Sequence, residues 1–599
     1  MKTSKYLIIG AVAVSGVLFS CGKSFLEREP LGVLKEEDLY TRDGVQNLLI
    51  GTYAALNGQQ QDVAAIGGGG PWEASPSNWV YGSVAAGDAH KGSDAVDQAP
   101  INQIMKGQFD PTNGFFNTKW KATFDGVVRA NVVLNILSKV KNIPAADVTN
   151  ITAQARFLRG HYYFELKKMF GKVPWVDETM TDFATGNYKQ PNTDDIWPKI
   201  EADFKFAYDN LPETQPEVGR ANKWAAASYL AKTYVYQRKY TDAKPLFDQI
   251  ITKGKTTGNK PYDLLPKYSD NFDPVTKNNA ESVFAIQMTA NNGTNQITSS
   301  NQGEMLNFPY NSPFGCCGFF QPSQDLVNSF RTSAAGLPFL DTYNQGANQV
   351  KNDQGLGSSD PFTPDAGPVD PRLDWTVGRR GLPYLDWGNH PGASWIRDQA
   401  YAGPYGPKKN VYWQYNQDKY KDANAWAPGS AINVVLIRFA DVLLLAAETE
   451  AELNNLDQAQ IYVNRVRQRA ANPTGWVYKY NDPTKPLNGF SNVPAANYVV
   501  SPYPAGAFTG GGKDFALKAI RFERKLELGM EGQRYFDITR WGIAQDVMTK
   551  YFTYESTISS DVRGGAFVAN RNEYYPVPQR QIDLSLKDGK ATLTQNKGY

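Results

Sequence analysis

Two stretches of paired helical periodicity, about 200 residues apart, most constrain how this chain folds. In residues 222–253, Ala227, Leu230, Ala231 and Tyr234 share one helical face. After a short break, Tyr240, Ala243 and Phe247 supply a second face. Residues three and four apart lie together on a helix surface, so each set forms an apolar stripe. The small residues let two antiparallel helices approach, and the rings fill the space between them. A weaker echo runs through 436–470: Leu443, Ala446 and Ala447, a break at Asn454-Asn455, then Leu456, Ala459, Val463 and Val466.

That order of small and aromatic residues matches the tetratricopeptide arrangement. The distance between the two copies implies helical repeats with large insertions, not a continuous solenoid. Further periodicity at 151–170 (Ile151, Ala155, Leu158, Tyr162, Leu166, Met169) ends at Gly171 and Pro174. Another helix runs from about Thr193 to Leu211. The expected fold is mainly α, with tetratricopeptide-like helix pairs, large loop-rich insertions and minor β. Its helical scaffold covers about 35–56, 115–253, 431–471 and 513–548. Residues 57–112 and 255–430 lack sustained periodicity and are rich in Gly, Pro and aromatic residues. Long irregular stretches inside a compact protein are usually functional. Glu281 to Thr289 is the best strand candidate.

The first twenty residues bear on compartment. Lys2 and Lys5 precede the apolar run Tyr6 to Phe19, which is too short to span a bilayer as a helix. Leu18-Phe19-Ser20-Cys21 then has the layout of a bacterial lipobox, with Phe19 bulkier than usual. Residues 1–20 are therefore expected to be a lipoprotein signal peptide. Cys21 would be the acylated residue and 21–34 a tether, followed by one body over 35–599. The 62 basic residues include Lys2 and Lys5; without those two, the basic count equals the 60 acidic residues. A balanced surface with no basic block argues against nucleic acid as a partner.

The chain lacks the common catalytic signatures: no His-Glu-x-x-His, no Gly-x-Ser-x-Gly and no Gly-x-x-x-x-Gly-Lys-Ser/Thr phosphate loop. His90, His161 and His390 are scattered, and His161 falls inside a helical stripe. No cofactor or metal site is expected. Paired carboxylates for glycoside hydrolysis need only two acids brought close by the fold, so a hydrolase stays open as an alternative. Arg524 and Glu527, in the Arg- and Glu-rich segment Ile520 to Trp541, are spaced to meet along one helix, a pattern that orients helices at packing junctions. Cys316 and Cys317 are adjacent, between Gly315 and Gly318, and form either a vicinal disulfide or two separate thiols.

Aromatic residues carry the binding argument. They make up 13% of the chain, with 33 Tyr and 13 Trp. Trp72, Trp79 and Tyr81 stand in the first irregular stretch. Trp387, Trp395 and Trp413 stand in the second, among Asp386, Asn389, Arg397 and Asp398. Rings remove sugar C–H surface from water while planar polar groups pair with hydroxyls. These six are the candidate contacts for a polyhydroxylated ligand.

Four segments carry a family resemblance. They are AQARFLRGHYYFELKKMFGKVPWV (153–176), LIRFADVLLLAAETEAELNN (436–455) with NRVRQRA (464–470), Ile520 to Trp541, and YYPVPQRQIDL (574–584) with the ending LTQNKGY. Together they resemble the SusD/RagB family of outer-membrane nutrient-binding lipoproteins, in order along essentially the whole chain. The resemblance implies one helical body of tetratricopeptide-like pairs with a loop-rich ligand portion. It also implies a SusC-like TonB-dependent β-barrel transporter as partner and a non-catalytic role at the outer membrane. Its cargo is typically oligosaccharide, and in some members peptide. The shared segments are scaffold, so no ligand contact carries over by position. Surface-exposed members often have acidic residues just after the lipid-bearing Cys; here Gly22-Lys23-Ser24 follow Cys21, and Glu27 is the first acid.

Overall fold

The computed structural model describes residues 35–58, 70–180, 182, 184–293, 299–311 and 313–599. The signal segment, Cys21 and the tether lie outside the described residues.

The principal helices are α1 (Arg42–Ala54), α2 (Gly114–Leu137), α3 (Ala145–Phe170), α4 (Trp197–Asn210), α5 (Lys223–Tyr236) and α6 (Tyr240–Lys253). After a long excursion come α7 (Phe439–Glu452), α8 (Leu456–Ala471), α9 (Ala507–Glu527), α10 (Arg534–Arg540) and α11 (Ala544–Glu555). Side-chain caps start several of them: Thr41 accepts from the Gly44 N–H, Asn113 from Phe115 and Asn222 from Ala225. Gly171, at φ 63°, stops α3. Arg238 and Asn454 take left-handed conformations (φ 59° and 66°) in the turns of the α5–α6 and α7–α8 pairs. Gly126 lets α2 and α3 close, since a Cβ there would sit 2.3 Å from the Tyr162 ring.

Helices α2 to α9 form one row in which each packs on the next. The row does not break where the sequence does. α6 packs directly on α7, and Lys244 of α6 pairs with Glu450 of α7 at 2.5 Å. The expected interruption of the solenoid is thus confined to the sequence: the insertion leaves and returns at one place while the helices stay in contact. That place is marked by β2 (Ser282–Ile286), which pairs antiparallel with β4 (Val434–Arg438). The strand lies inside the Glu281 to Thr289 candidate. β1 (Ala89–Gly92) pairs with β3 (Phe319–Pro322) and ties the first irregular stretch to the second. β5 (Tyr478–Tyr480) and β6 (Phe490–Pro494) form a surface hairpin.

Below the β2–β4 pair, the fold buries a lattice of charges. Glu527 of α9 is fully buried and accepts from Arg372 at 2.8 Å, from Arg438 at 2.5 Å and from Arg469. Glu281 joins Arg438 at 2.7 Å, and Glu523 joins Arg467 at 2.8 Å. Arg524 instead faces Asp441 of α7 and Asp537 of α10, at 2.7 and 2.9 Å. The Arg524–Glu527 spacing along α9 is therefore not used. Each group reaches across to another element, because burial leaves no water to satisfy it and an unpaired internal charge costs several kcal/mol. His161 is likewise internal: its Nδ1 lies 2.9 Å from the Tyr229 hydroxyl, and burial pulls its pKa down to about 4.

One hydrophobic core runs from Val45 to Leu593. A second, separate cluster supports the loop-rich part, built from Phe308, Phe314, Tyr384, Trp395, Tyr412 and Ile432 among others. Its rings meet edge-on or tilted, as at Phe314–Trp395 (5.7 Å) and Tyr384–Trp395 (5.2 Å).

Candidate functional site

The six aromatic candidates separate into three groups. Trp79, Tyr81 and Trp395 are interior and offer no face to a ligand. Trp79 is 1% exposed, donates its Nε1–H to the Gly303 carbonyl and packs on Phe319 and Phe320. Tyr81 is equally buried, and its hydroxyl is shared between the carbonyls of Glu73 and Phe115. Trp395 is 8% exposed and belongs to the second cluster. These corrections have one cause. Each ring is buried by partners from other segments: Gly303 and Phe319 for Trp79, Phe115 for Tyr81, Phe314 and Tyr384 for Trp395.

Trp72 is half-buried beside Trp426, a 67% exposed ring at the end of the aromatic run of the second irregular stretch. Their centroids lie 6.4 Å apart at 78°. Trp72 is aimed by its Nε1–H, which donates to Gln98 Oε1 at 3.0 Å. Gln98 ends the short loop 93–98, and that loop also holds Arg397. The guanidinium pairs with Asp94 at 2.7 Å and Asp97 at 2.9 Å, and donates to Ser93 Oγ at 2.8 Å. Arg397 in turn lies 5.7 Å from the ring of Tyr310, which is 36% exposed. The Ser93 N–H donates to the Gly318 carbonyl at 2.6 Å, closing this loop against the turn that carries Tyr310. Trp72, Trp426, Gln98, Arg397 and Tyr310 are therefore linked in one chain of contacts, the candidate ligand face.

Charge on that face is balanced. Arg397 and buried Lys91 oppose Asp94 and Asp97. Hydrogen bonds from the Asp97 and Val96 N–H groups, offset in part by burial, hold the Asp94 carboxyl below its usual range. Both carboxylates are engaged by Arg397, so neither is placed as a free acid or base. A neutral ligand rich in hydroxyls suits such a surface better than an anion or a cation.

Cys316 and Cys317 sit in the turn just before Gly318, with their sulfurs joined and a cis peptide bond between them. The Gly318 position approaches both Tyr310 and Arg397; a Cβ there would be 3.1 and 3.7 Å from their Cβ atoms.

Trp387 and Trp413 lie in a second group around the same cluster. Trp387 is half-buried and donates to the Tyr412 carbonyl at 2.9 Å. Trp413 stands 6.3 Å from both Tyr415 (63% exposed) and Phe490 (38% exposed). Asp386 fixes this loop by accepting from the Gln414 and Tyr415 N–H groups at 2.6 and 2.9 Å. Tyr310 and Gln98 escape a local reading because only contacts between distant segments, 26 residues apart for Trp72 and Gln98 and 300 for Asp97 and Arg397, bring them together.

The model of the SusD family matches residues 280–599, and one described as "Starch-binding associating with outer membrane" matches 60–235. The chain belongs to the SusD family. A SusD-like protein, P25, from Formosa agariphila is 25% identical over 97% of both chains. Among solved structures, surface glycan-binding protein A from Bacteroides thetaiotaomicron, in complex with laminarihexaose, superposes with a TM-score of 0.62. That match covers 93% of this chain and 99% of the other, at 20% identity. A laminarin-binding SusD-like protein gives 0.58 at 21% identity, with the same coverage. At these identities the structural likeness establishes the SusD fold: helical pairs with small sheets.

Proposed function

We propose that this SusD family member is a non-catalytic receptor that captures a neutral oligosaccharide on the Trp72–Trp426–Tyr310 face. It is held at the outer membrane through lipid on Cys21, faces the cell exterior, and passes its cargo to a SusC-like TonB-dependent transporter. The observation that carries this reading is the face itself: exposed rings flank a charge-balanced cluster of planar polar side chains. Rings cover the C–H faces of pyranoses, and Gln98 and Arg397 provide amide and guanidinium groups beside them for hydroxyls. Two structural relatives, one surface glycan-binding and one laminarin-binding, support a glycan as cargo. The joined Cys316–Cys317 turn we assign to bracing the loop of Tyr310 against Arg397, not to redox chemistry.

Calorimetric titration with laminarihexaose, other neutral oligosaccharides and a peptide panel tests the reading. We expect binding to at least one glycan, no sugar product on prolonged incubation, and a loss of about 1 kcal/mol, roughly fivefold in affinity, for Trp426→Ala. Peptide binding with no glycan binding would reassign the cargo, and release of shorter sugars would make the protein a hydrolase.

A further inference from the structure

Two buried lysines stand behind the proposed ligand face. Lys91, on β1, is fully buried, and its ammonium donates to the carbonyls of Asp94 at 2.5 Å and Asp97 at 2.6 Å. It lies 5.2 Å from the Phe319 ring and 5.5 Å from that of Tyr401. Its reach spans the loop 93–98, whose first and last residues both adopt positive φ: Ser93 at 55° and Gln98 at 50°. Non-glycine residues in that region are strained, and two at the ends of one short loop need a fixed anchor between them. Lys119, on α2, does the same for the turn that carries Trp72. It donates to the carbonyls of Ala74 and Ser75, at 3.3 and 2.8 Å, under the Tyr81 ring.

The arrangement recurs in the rest of the loop-rich part. Lys408 donates to the carbonyls of Asp374 and Pro383, between the rings of Trp375 and Tyr384. Lys409 donates to the Gly529 carbonyl and to Glu531, beside Tyr268 and Phe272. Loop carbonyls buried without partners would cost free energy comparable to a lost hydrogen bond each, and a bound cation is one way to gather them. Among the described residues no three His, Cys, Asp or Glu side chains converge as a metal site. Here an ammonium, with aromatic faces supplying the remaining attraction, stands at the centre of each loop.

We propose that Lys91 and Lys119 are the positioning residues of the ligand face, their ammonium groups holding the 93–98 loop and the 71–75 turn in the geometry that presents Gln98, Arg397 and Trp72. This inference rests on the ligand face assigned above, but the loop ordering it claims is measurable without any ligand. Each lysine spends two donors on two carbonyls, and the ammonium adds attraction to the ring faces beside it. Burial pulls both pKa values down, to about 8, against the pull of neighbouring carboxylates. Lys91 is faced by Asp94, Asp97 and Asp561, which favour its charge, and by Arg397, which opposes it. Lys119 is faced by Glu165, which favours its charge, and by Lys168, which opposes it. A loosened loop would return each lysine to water and its ordinary pKa, so by linkage the closed loop is not lost as pH rises through about 8, and the anchoring rests on the donors.

The test is limited proteolysis with an endoprotease that cleaves before aspartate, applied to the full chain at pH 7. Lys91→Met and Lys119→Met should both keep the wild-type far-ultraviolet circular dichroism. Lys91→Met should be cut at Asp94 or Asp97 at least fivefold faster than wild type. Lys91→Arg, which keeps charged donors at that depth, should be cut at a rate nearer wild type; this arm decides the matter if Lys91→Met fails to fold. Laminarihexaose titration is the second readout. Affinity at pH 7 should be several-fold lower in both methionine variants than in wild type. Cleavage at wild-type rates in Lys91→Met, or an equal rise in Lys91→Arg, overturns the proposal. Failure of wild type to bind the hexasaccharide at any pH removes the chosen ligand, and the cleavage rates then decide alone.

Discussion

The helical row and the loop-rich part solve the same problem by opposite means. Where the row meets the β2–β4 pair, the interior holds full charges of both signs, with Glu527 shared by three arginines. In the loop-rich part the interior is a cluster of rings, and the cations beneath it reach mostly main-chain carbonyls. Helices satisfy their own backbone, so their junctions can spend side chains on pairing one another. Irregular loops leave carbonyls over, and lysines must serve them. The row is thereby fixed by side chain to side chain, and the loops by side chain to backbone, which leaves surface rings free to vary without disturbing the anchors.

The sharpest way to break that contrast is to remove the hub of the charged lattice. Glu527→Ala leaves Arg372, Arg438 and Arg469 facing one another without water, and breaking a buried pair of this kind costs about 3–5 kcal/mol. Denaturant unfolding should show a loss of that size and the thermal midpoint should fall. Stability equal to wild type would mean that the lattice is not what holds the row.

A smaller effect separates the two regions by pH. His90, on β1, is fully buried between Asp561 (Nδ1, 2.9 Å) and Glu555 (Nε2, 3.0 Å). Burial alone would lower its pKa, but Asp561 and then Glu555 outweigh it and push the value up to about 10. The folded state therefore binds a proton that the unfolded state releases near 6.5. Its stabilisation is complete below about pH 6.5 and is lost as pH climbs towards 10. The buried lysines have the opposite sign, because their folded pKa values are lowered and the unfolded chain holds the extra proton. The informative quantity is thus a difference. Against wild type, His90→Gln should lose the downward component of stability between pH 7 and 10, so that its stability falls less or rises. An identical pH slope in the two proteins would mean that His90 is not held as the charged form.

How far these regions were legible in the sequence follows from the range of the forces that shape them. The α5–α6 and α7–α8 pairs, the stop at Gly171 and the break at Asn454 are local: side chains three or four apart, a helix end, a left-handed turn. All are written in neighbouring residues. The continuity of the row through α6 and α7 is not, since the partners are about 200 residues apart. Ring exposure is the extreme case. Trp79 and Trp72 stand seven positions apart in similar surroundings of Gly and Pro, yet Trp79 is interior because its indole meets the carbonyl of Gly303, 224 residues on. Arg524 and Glu527 look paired along α9 only until Asp441 and Arg372 arrive from elsewhere.

The smallest expected effect tests whether the two exposed aromatic groups are equivalent. Tyr415 is 63% exposed and makes its ring contact with Trp413 at the rim, so Tyr415→Ala should alter stability by no more than about 0.5 kcal/mol. Its group lacks the charge-balanced loop that aims Trp72 and Arg397, and the backbone-bound Asp386 serves to fix the turn. A hexasaccharide seated beside Trp426 therefore should not sense the change, and its calorimetric affinity should match wild type. A long polysaccharide has units to spare for a second aromatic surface, and even a weak extra contact raises its apparent affinity through effective concentration. Affinity electrophoresis in laminarin should then show a retardation loss for Tyr415→Ala of less than about threefold. If the hexasaccharide instead weakens as much as in Trp426→Ala, the capture face lies at Trp413 and Tyr415, and the lysine-anchored loop is a scaffold for something else.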